Sequence, residues 1–241
     1  MKAPAPALDF ARWILWEDEG LLAIDKPAGV LSQGGEGGQG VNVVDLARAY
    51  LGREGVGVLH RIDRNVSGVV LVAKQPSAAS AMTRLIQKGA VERVYRAVVR
   101  GSPATDALHI DAMLAKDATT NEVRAATAEA VARMTAAVRK EYRPASTDVN
   151  VVARFRAPIG ACASLDVRPI SGRSHQIRVH LAHAGLPILG DPKYGVLVRG
   201  LNRPLLHAMR VAFVHPRTRV HVVIEARIPW TEAMVAGARS P

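Results

Sequence analysis

Ser67-Gly68-Val69-Val70-Leu71-Val72-Ala73 is the stretch on which the reading of this chain turns. Residues 69–73 are apolar without alternation, which marks a strand covered on both faces rather than one with a wet side. Such a strand lies inside a sheet and needs layers around it. Just beyond it, Pro76 opens a helix reaching to about Lys88, with Gly89 in the stop position. Upstream, residues 13–17 and 21–25 are short apolar runs joined across Asp18-Glu19-Gly20, a hairpin pattern. Asn42 is placed to cap a helix whose apolar face holds Val43, Leu46, Ala47 and Tyr50.

Further along, residues 91–100 form a strand with Tyr95, Ala97 and Val99 on one side and Arg96 and Arg100 on the other. Val131, Met134 and Val138 recur at helical spacing, so residues 127–141 read as one helix, bordered by Arg133, Arg139, Lys140 and Arg143. Residues 165–170 are a strand, 174–183 a helix ended by Gly185, and 205–214 and 219–228 two late strands. These pieces interleave without repeats or long linkers. They predict an α+β fold in a single domain over 13–241, preceded by a flexible extension at 1–12.

Composition bounds the function. The 241 residues carry 32 Lys+Arg against 21 Asp+Glu, a formal charge of +11, and 49% are hydrophobic. That apolar content excludes a disordered chain, and the length suffices for a sizeable core. Aromatics are only 4%, so the core is aliphatic. The apolar runs are too short to span a bilayer, and the N-terminus has no signal-like apolar segment. A sole cysteine, Cys162, excludes an internal disulfide framework and any multi-cysteine metal site, and amid Ala161 and Ala163 it reads as a buried core thiol. The expectation is a soluble cytoplasmic protein whose positive charge favours a polyanionic partner, nucleic acid first.

Three segments bear chemistry. In His60-Arg61-Ile62-Asp63-Arg64-Asn65-Val66-Ser67-Gly68 a carboxylate sits between two arginines, on a loop leading into the buried strand. Loops held by rigid strands commonly carry reactive groups. A charged carboxylate there can attack an electrophilic carbon or steady a developing cation. Read alone, the same segment is more simply an ion pair in a surface turn. In Ser171-Gly172-Arg173-Ser174-His175-Gln176-Ile177-Arg178 a glycine turn feeds a helix start rich in donors, suited to an anion. Tyr95, flanked by Arg93 and Arg96, offers a stacking face and a hydroxyl, or simply packing.

Other patterns fail on context. Gly35-Glu36-Gly37-Gly38-Gln39-Gly40 matches a dinucleotide-binding glycine motif but does not directly follow a strand. His175, His180 and His183 lack zinc-site spacing and a completing ligand. Neither Ser67 nor Ser174 sits in a nucleophile elbow.

Taken together, the chain resembles the RluA-type pseudouridine synthases. The likeness rests on Asp25-Lys26-Pro27-Ala28-Gly29, His60-Arg61-Ile62-Asp63 with Ser67-Gly68, Tyr95, Gly172 through Leu181, Gly190-Asp191-Pro192-Lys193-Tyr194-Gly195 and Leu206-His207-Ala208, in that order. The resemblance implies an enzyme that isomerises uridine in ribosomal or transfer RNA without a cofactor or metal. It implies a mixed, largely antiparallel sheet with flanking helices and a catalytic cleft. Asp63 matches the family's essential aspartate, Tyr95 its active-site tyrosine, and Arg178 the arginine that pairs with the aspartate. Arg61 matches a residue thought to enter the RNA stack, and RNA contacts are further expected from Arg64, Arg173, His175 and Gln176.

The sequence departs from that pattern at Ile62, usually leucine, at Val66, often threonine, and at Ser32-Gln33, often His-Pro. The segment around 127–141 is longer than usual, and the chain ahead of the match is too short for the S4 domain some relatives carry. The expected state is a monomer with no obligatory protein partner. Two rival readings remain at this level: a non-catalytic RNA-binding or RNA-folding protein on the same scaffold, and an oxidoreductase using Gly35–Gly40.

Overall fold

A computed structural model describes residues 9–34, 40–237 and 239. Most of the expected extension and nearly all of the glycine-rich stretch lie outside the described residues. After a 3-10 turn at Phe10–Trp13, in which Phe10 is buried, the chain forms β1 (Ile14–Glu17), β2 (Leu21–Lys26), α1 (Val43–Leu51), β3 (Gly57–Val58), β4 (Ser67–Ala73), α2 (Pro76–Gln87) and β5 (Val91–Arg100). There follow β6 (Ala107–Lys116), β7 (Val123–Ala126), α3 (Ala128–Ala132), α4 (Ala136–Arg139), β8 (Arg143–Ala157) and β9 (Gly160–Pro169). The last elements are α5 (Gln176–His183), β10 (Leu206–Val214), β11 (His221–Glu225) and α6 (Glu232–Ala236). The α+β class is therefore correct, and β1/β2, β2/β4, β5/β9, β6/β8, β8/β9 and β10/β11 all pair antiparallel.

The chain divides into two compact units. The first runs to Val91 and takes back Arg210–Arg227. In it the strand order is β1-β2-β4 and then β10, with β3 against β4 and β11 against β10. Every residue of β4 is buried, as the unbroken apolar run requires. Leu21, Ala23, Val69, Leu71, Met82, Val211, Phe213 and Ile224 form its core. The β1–β2 turn closes on Asp18, whose Oδ1 accepts from the N–H of Gly20 at 2.9 Å and of Leu21 at 2.7 Å. Asn42 caps α1 by accepting from Asp45 N–H at 3.0 Å, and α2 ends before Gly89 at φ +69°. On α1 the apolar face is narrower than its spacing suggests: Val43 and Ala47 are buried, whereas Tyr50 is exposed and bonds Glu17.

The second unit holds Glu92–Met209 and resumes at Ile228, with strand order β10-β5-β9-β8-β6-β7. Its β6, β7 and β8 lie where the sequence reading placed no strands. On β8, Ala145, Thr147 and Val149 point into the core while Arg143, Ser146, Asp148 and Asn150 are wetter. Alanine and threonine in the buried rows make that alternation faint. The single helix expected over 127–141 is two short ones. Thr127 caps α3, Arg133 ends it, and Thr135 starts α4 afresh. Val131 is buried, but Val138 is exposed.

Candidate active site

In the first unit, the loop between β3 and β4 carries Arg61, Asp63 and Arg64. It is held by its backbone. Ser32 Oγ donates to Ile62 O at 2.8 Å and accepts from Ile62 N–H at 3.1 Å. Gly29 N–H donates to Arg64 O at 2.8 Å, and Arg64 Nε returns a bond to Gly29 O at 2.9 Å. Gly29 has φ +92°, a conformation that favours glycine, so the Pro27-Ala28-Gly29 turn can present that N–H.

Lys26 is wholly buried at the end of β2, and its ammonium donates to Val30 O at 2.7 Å, Pro27 O at 3.0 Å and Arg64 O at 3.2 Å. A buried ammonium is tolerated when carbonyl dipoles surround it. His60, also buried, accepts Leu71 N–H on Nε2 at 3.2 Å and ties the loop's start to β4. Val66 N–H donates to Asp63 O at 3.0 Å and closes the turn. The result is a fixed main chain from which Arg61 and Arg64 project exposed and Asp63 half-buried. A pre-organised loop of this kind spends no conformational freedom on presenting its carboxylate.

In the second unit, Tyr95 is buried on β5, opposite Val167 of β9. Arg96 lies on the other side of the strand and pairs with Asp166 at 2.7 Å. Arg93 donates to Pro169 O and Ser171 O, which ties β5 to the turn before α5.

That turn is organised by Gln176, 4% exposed. Its Oε1 accepts from Ser171 Oγ at 2.8 Å and Arg173 N–H at 3.0 Å, while Nε2 donates to Ser146 O at 2.8 Å and Thr147 Oγ1 at 3.0 Å. An amide has two acceptor and two donor positions, and all four are filled. Arg173 itself is exposed, with Nε toward Pro144 O. The helix starts at Gln176, because His175 sits at φ +52°, a left-handed conformation uncommon outside glycine. Local strain of this sort persists only where the surroundings hold it. Here His175 Nδ1 is hydrogen-bonded to Tyr194 Oη at 2.8 Å, and Tyr194 Oη also accepts Val123 N–H at 2.8 Å.

Arg178, in the first turn of α5, is buried and meets Asp191 through two parallel bonds, Nε to Oδ2 and Nη2 to Oδ1, each 2.7 Å. Its guanidinium also lies over the Tyr194 ring, 4.9 Å from the centroid. Asp191 is 1% exposed. Burial by itself would raise its pKa, but the Arg178 hydrogen bonds and charge, with N–H donors of Lys193 and Tyr194, outweigh that and hold the carboxyl below its usual value.

The 190–195 turn that supplies Asp191 and Tyr194 depends on its two glycines. A Cβ on Gly190 would lie 2.2 Å from Arg203 O, and one on Gly195 would lie 2.1 Å from Ile188 O.

Asp191, Tyr194 and Lys26 are the structurally decisive residues to which sequence reasoning gave no role. Their signal was present in the runs Gly190–Gly195 and Asp25–Gly29, which contributed to the resemblance only as patterns. Asp63, Arg61 and Arg64 belong to the first unit; Tyr95, Arg173, His175, Gln176 and Arg178 belong to the second, where the α5 start gathers the last four.

The family model for RNA pseudouridylate synthase matches residues 20–183, and the chain belongs to that family, within the RluA type. Among curated relatives it is 35% identical over 221 residues to the ribosomal large subunit pseudouridine synthase C of Haemophilus ducreyi, covering 88% of this chain and 64% of that protein. It is 34% identical over 224 residues to the synthase C of Escherichia coli, covering 88% and 65%. It is 34% identical over 236 residues to the synthase D of Xanthomonas campestris, covering 90% and 66%. The chain thus spans about two thirds of the length of the curated relatives it matches. Among solved structures, human RNA pseudouridylate synthase domain containing 1 superposes with a TM-score of 0.72 at 21% identity, covering 94% of this chain and 88% of that one. The domain containing 4 protein gives 0.70 at 22%, covering 94% and 92%. These two likenesses establish the fold.

Proposed function

We propose that this chain is an RNA pseudouridine synthase, with residues 13–241 as one catalytic domain, acting in the cytoplasm as a monomer on ribosomal or transfer RNA. The curated relatives, named as ribosomal large subunit pseudouridine synthases, favour ribosomal RNA of the large subunit. One observation carries the reading: the position matching the family's essential aspartate, Asp63, lies on a loop whose main chain is fixed by Lys26, Gly29 and Ser32.

The chemistry follows from the groups. Breaking the C–N glycosidic bond builds positive charge at C1′, which the Asp63 carboxylate stabilises or traps covalently. The freed uracil turns and its C5 bonds to C1′, releasing the Asp63 carboxylate, after which C5 loses its proton and N1 takes one up. Water is kept out, since hydrolysis before rejoining would leave an abasic site. The isomerisation is redox-neutral and calls for no cofactor. Tyr95 stacks on the base; a free phenol, with a pKa of about 10, makes a poor general base at neutral pH, so stacking is its leading role. Arg178 supplies the cation of the site, oriented by Asp191. Arg61, Arg64, Arg173 and His175 contact RNA, whereas the saturated Gln176 serves by fixing the turn that presents Arg173. Unstacking the target nucleotide costs a few kcal/mol, offset by phosphate contacts.

The test is Asp63→Asn with RNA from cells lacking the gene as substrate. Pseudouridine formation is expected to vanish while RNA affinity stays within about threefold of the parent, about 0.6 kcal/mol or less. A variant that turns over normally overturns the mechanism. A parent protein that binds RNA and makes no pseudouridine favours a non-catalytic RNA-binding role.

A further inference from the structure

The segment between β7 and β8 presents cations that the fold itself does not use. Arg133, Arg139, Lys140 and Arg143 are all exposed within eleven residues. None of the four is in an ion pair among the described residues, although on the strands of the same unit Arg96 meets Asp166, Arg154 meets Asp106 and Arg168 meets Glu92. Arg143 instead donates to the carbonyls of Lys140 and Tyr142, which orients its guanidinium without neutralising it. Glu129 is spent locally at the start of α3, where its own N–H and the Thr127 side chain lower its pKa. Glu141 is the one other acid between Thr127 and Arg143.

The two helices differ in what they do for the fold. α3 is anchored by Val131, 3% exposed. α4 buries no residue at all, and its Ala136, Ala137 and Val138 are exposed. A four-residue helix without a buried face gains almost nothing from folding. Small exposed side chains beside long cations let a polyanion's backbone come close. The segment also adjoins the α5 start, because Arg173 Nε points to the carbonyl of Pro144, next to Arg143.

We propose that residues 133–143 are an RNA-docking arm that grips phosphates flanking the target nucleotide and helps choose the substrate. The proposal rests on the RNA reading above for its partner, and it commits to phosphate contacts: exposed, unpaired, non-aromatic cations read charge rather than base identity.

The experiment compares two triple variants of the full chain that remove equal charge, Arg133→Gln/Arg139→Gln/Lys140→Gln and Arg154→Gln/Arg168→Gln/Arg217→Gln. The second set takes exposed arginines already paired with carboxylates. Binding to a structured ribosomal RNA fragment is measured from 50 to 400 mM KCl, with thermal unfolding as the fold control. The arm variant is expected to lower the log–log salt slope by about 2, at roughly 0.7–0.9 per lost phosphate contact, and to weaken affinity at 150 mM about tenfold or more. KM should rise in proportion, with kcat at saturating RNA within about twofold of the parent. The paired-arginine variant should keep the parental slope. Equal slopes for both variants, or no change in the arm variant, overturn the proposal. If the parent binds RNA with this slope difference yet forms no pseudouridine, the arm stands and the enzymatic reading falls.

Discussion

Each of the two units buries a charge beside its own candidate residues, and they do it in opposite ways. In the first, the ammonium of Lys26 is surrounded by main-chain carbonyls of Pro27, Val30 and Arg64. In the second, the carboxylate of Asp191 is matched to one side chain, Arg178, and to two backbone N–H groups. A charge caged by carbonyls fixes the path of a loop and leaves its side chains to do other work. A charge matched to a guanidinium fixes that guanidinium. The comparison explains why Arg61 and Arg64 stay exposed while Arg178 is buried.

Breaking the second arrangement should cost most. Asp191→Ala removes the buried carboxylate that accepts from both Nε and Nη2 of Arg178, and a loss of about 3–5 kcal/mol is expected, read by urea unfolding. A loss below about 1 kcal/mol would mean that the guanidinium finds another anion and that the pair is not what holds it. Breaking the first should cost less, because each carbonyl that loses its bond to the ammonium is itself a neutral group. Lys26→Met is expected to cost about 2–3 kcal/mol and to reduce pseudouridine formation at temperatures where the variant remains folded. If activity in the folded variant equals the parent's, the loop keeps its path without the ammonium.

A third buried polar group sharpens the contrast, since it has no compensating partner. His180 on α5 is fully buried, and neither ring nitrogen has a hydrogen-bond partner among the described residues. Burial chiefly, with the nearby His183, lowers its pKa to about 4, against a small opposing pull from Asp111. The folded chain therefore binds this proton less readily than the unfolded one. Its contribution is intact above pH 6.5 and is lost as pH falls from 6.5 toward 4, amounting to about 2 kcal/mol at pH 5. His180→Leu should flatten the stability profile across that window, and a profile unchanged by the substitution would show that other groups set it.

The same contrast governs what the sequence could reveal. The buried strand β4, the capped α1, the proline-to-glycine α2 and the Tyr95 strand were legible because apolar period and punctuation are local. The β6–β8 strands were not, since their buried rows rely on residues such as Ala112, Ala145 and Thr147, whose weak hydrophobicity blurs the alternation. Nor was the break at Thr135, whose extended backbone interrupts the helical spacing of Val131, Met134 and Val138. At the candidate site, the charged residues of the Asp63 loop and α5 could be picked out by type. Their supports could not, because Lys26 and Asp191 act through partners distant in sequence: Lys26 reaches Arg64, 38 positions on, and Asp191 reaches Arg178, 13 back.

Gly190 and Gly195 make the turn around Asp191 a casting with no clearance: one added methyl at either place collides with a carbonyl of Arg203 or Ile188. An alanine there changes no charge and removes no donor, yet it forces the casting to reset and carries the carboxylate away with it. In a screen for lost function, such a change would be indistinguishable from losing the arginine itself.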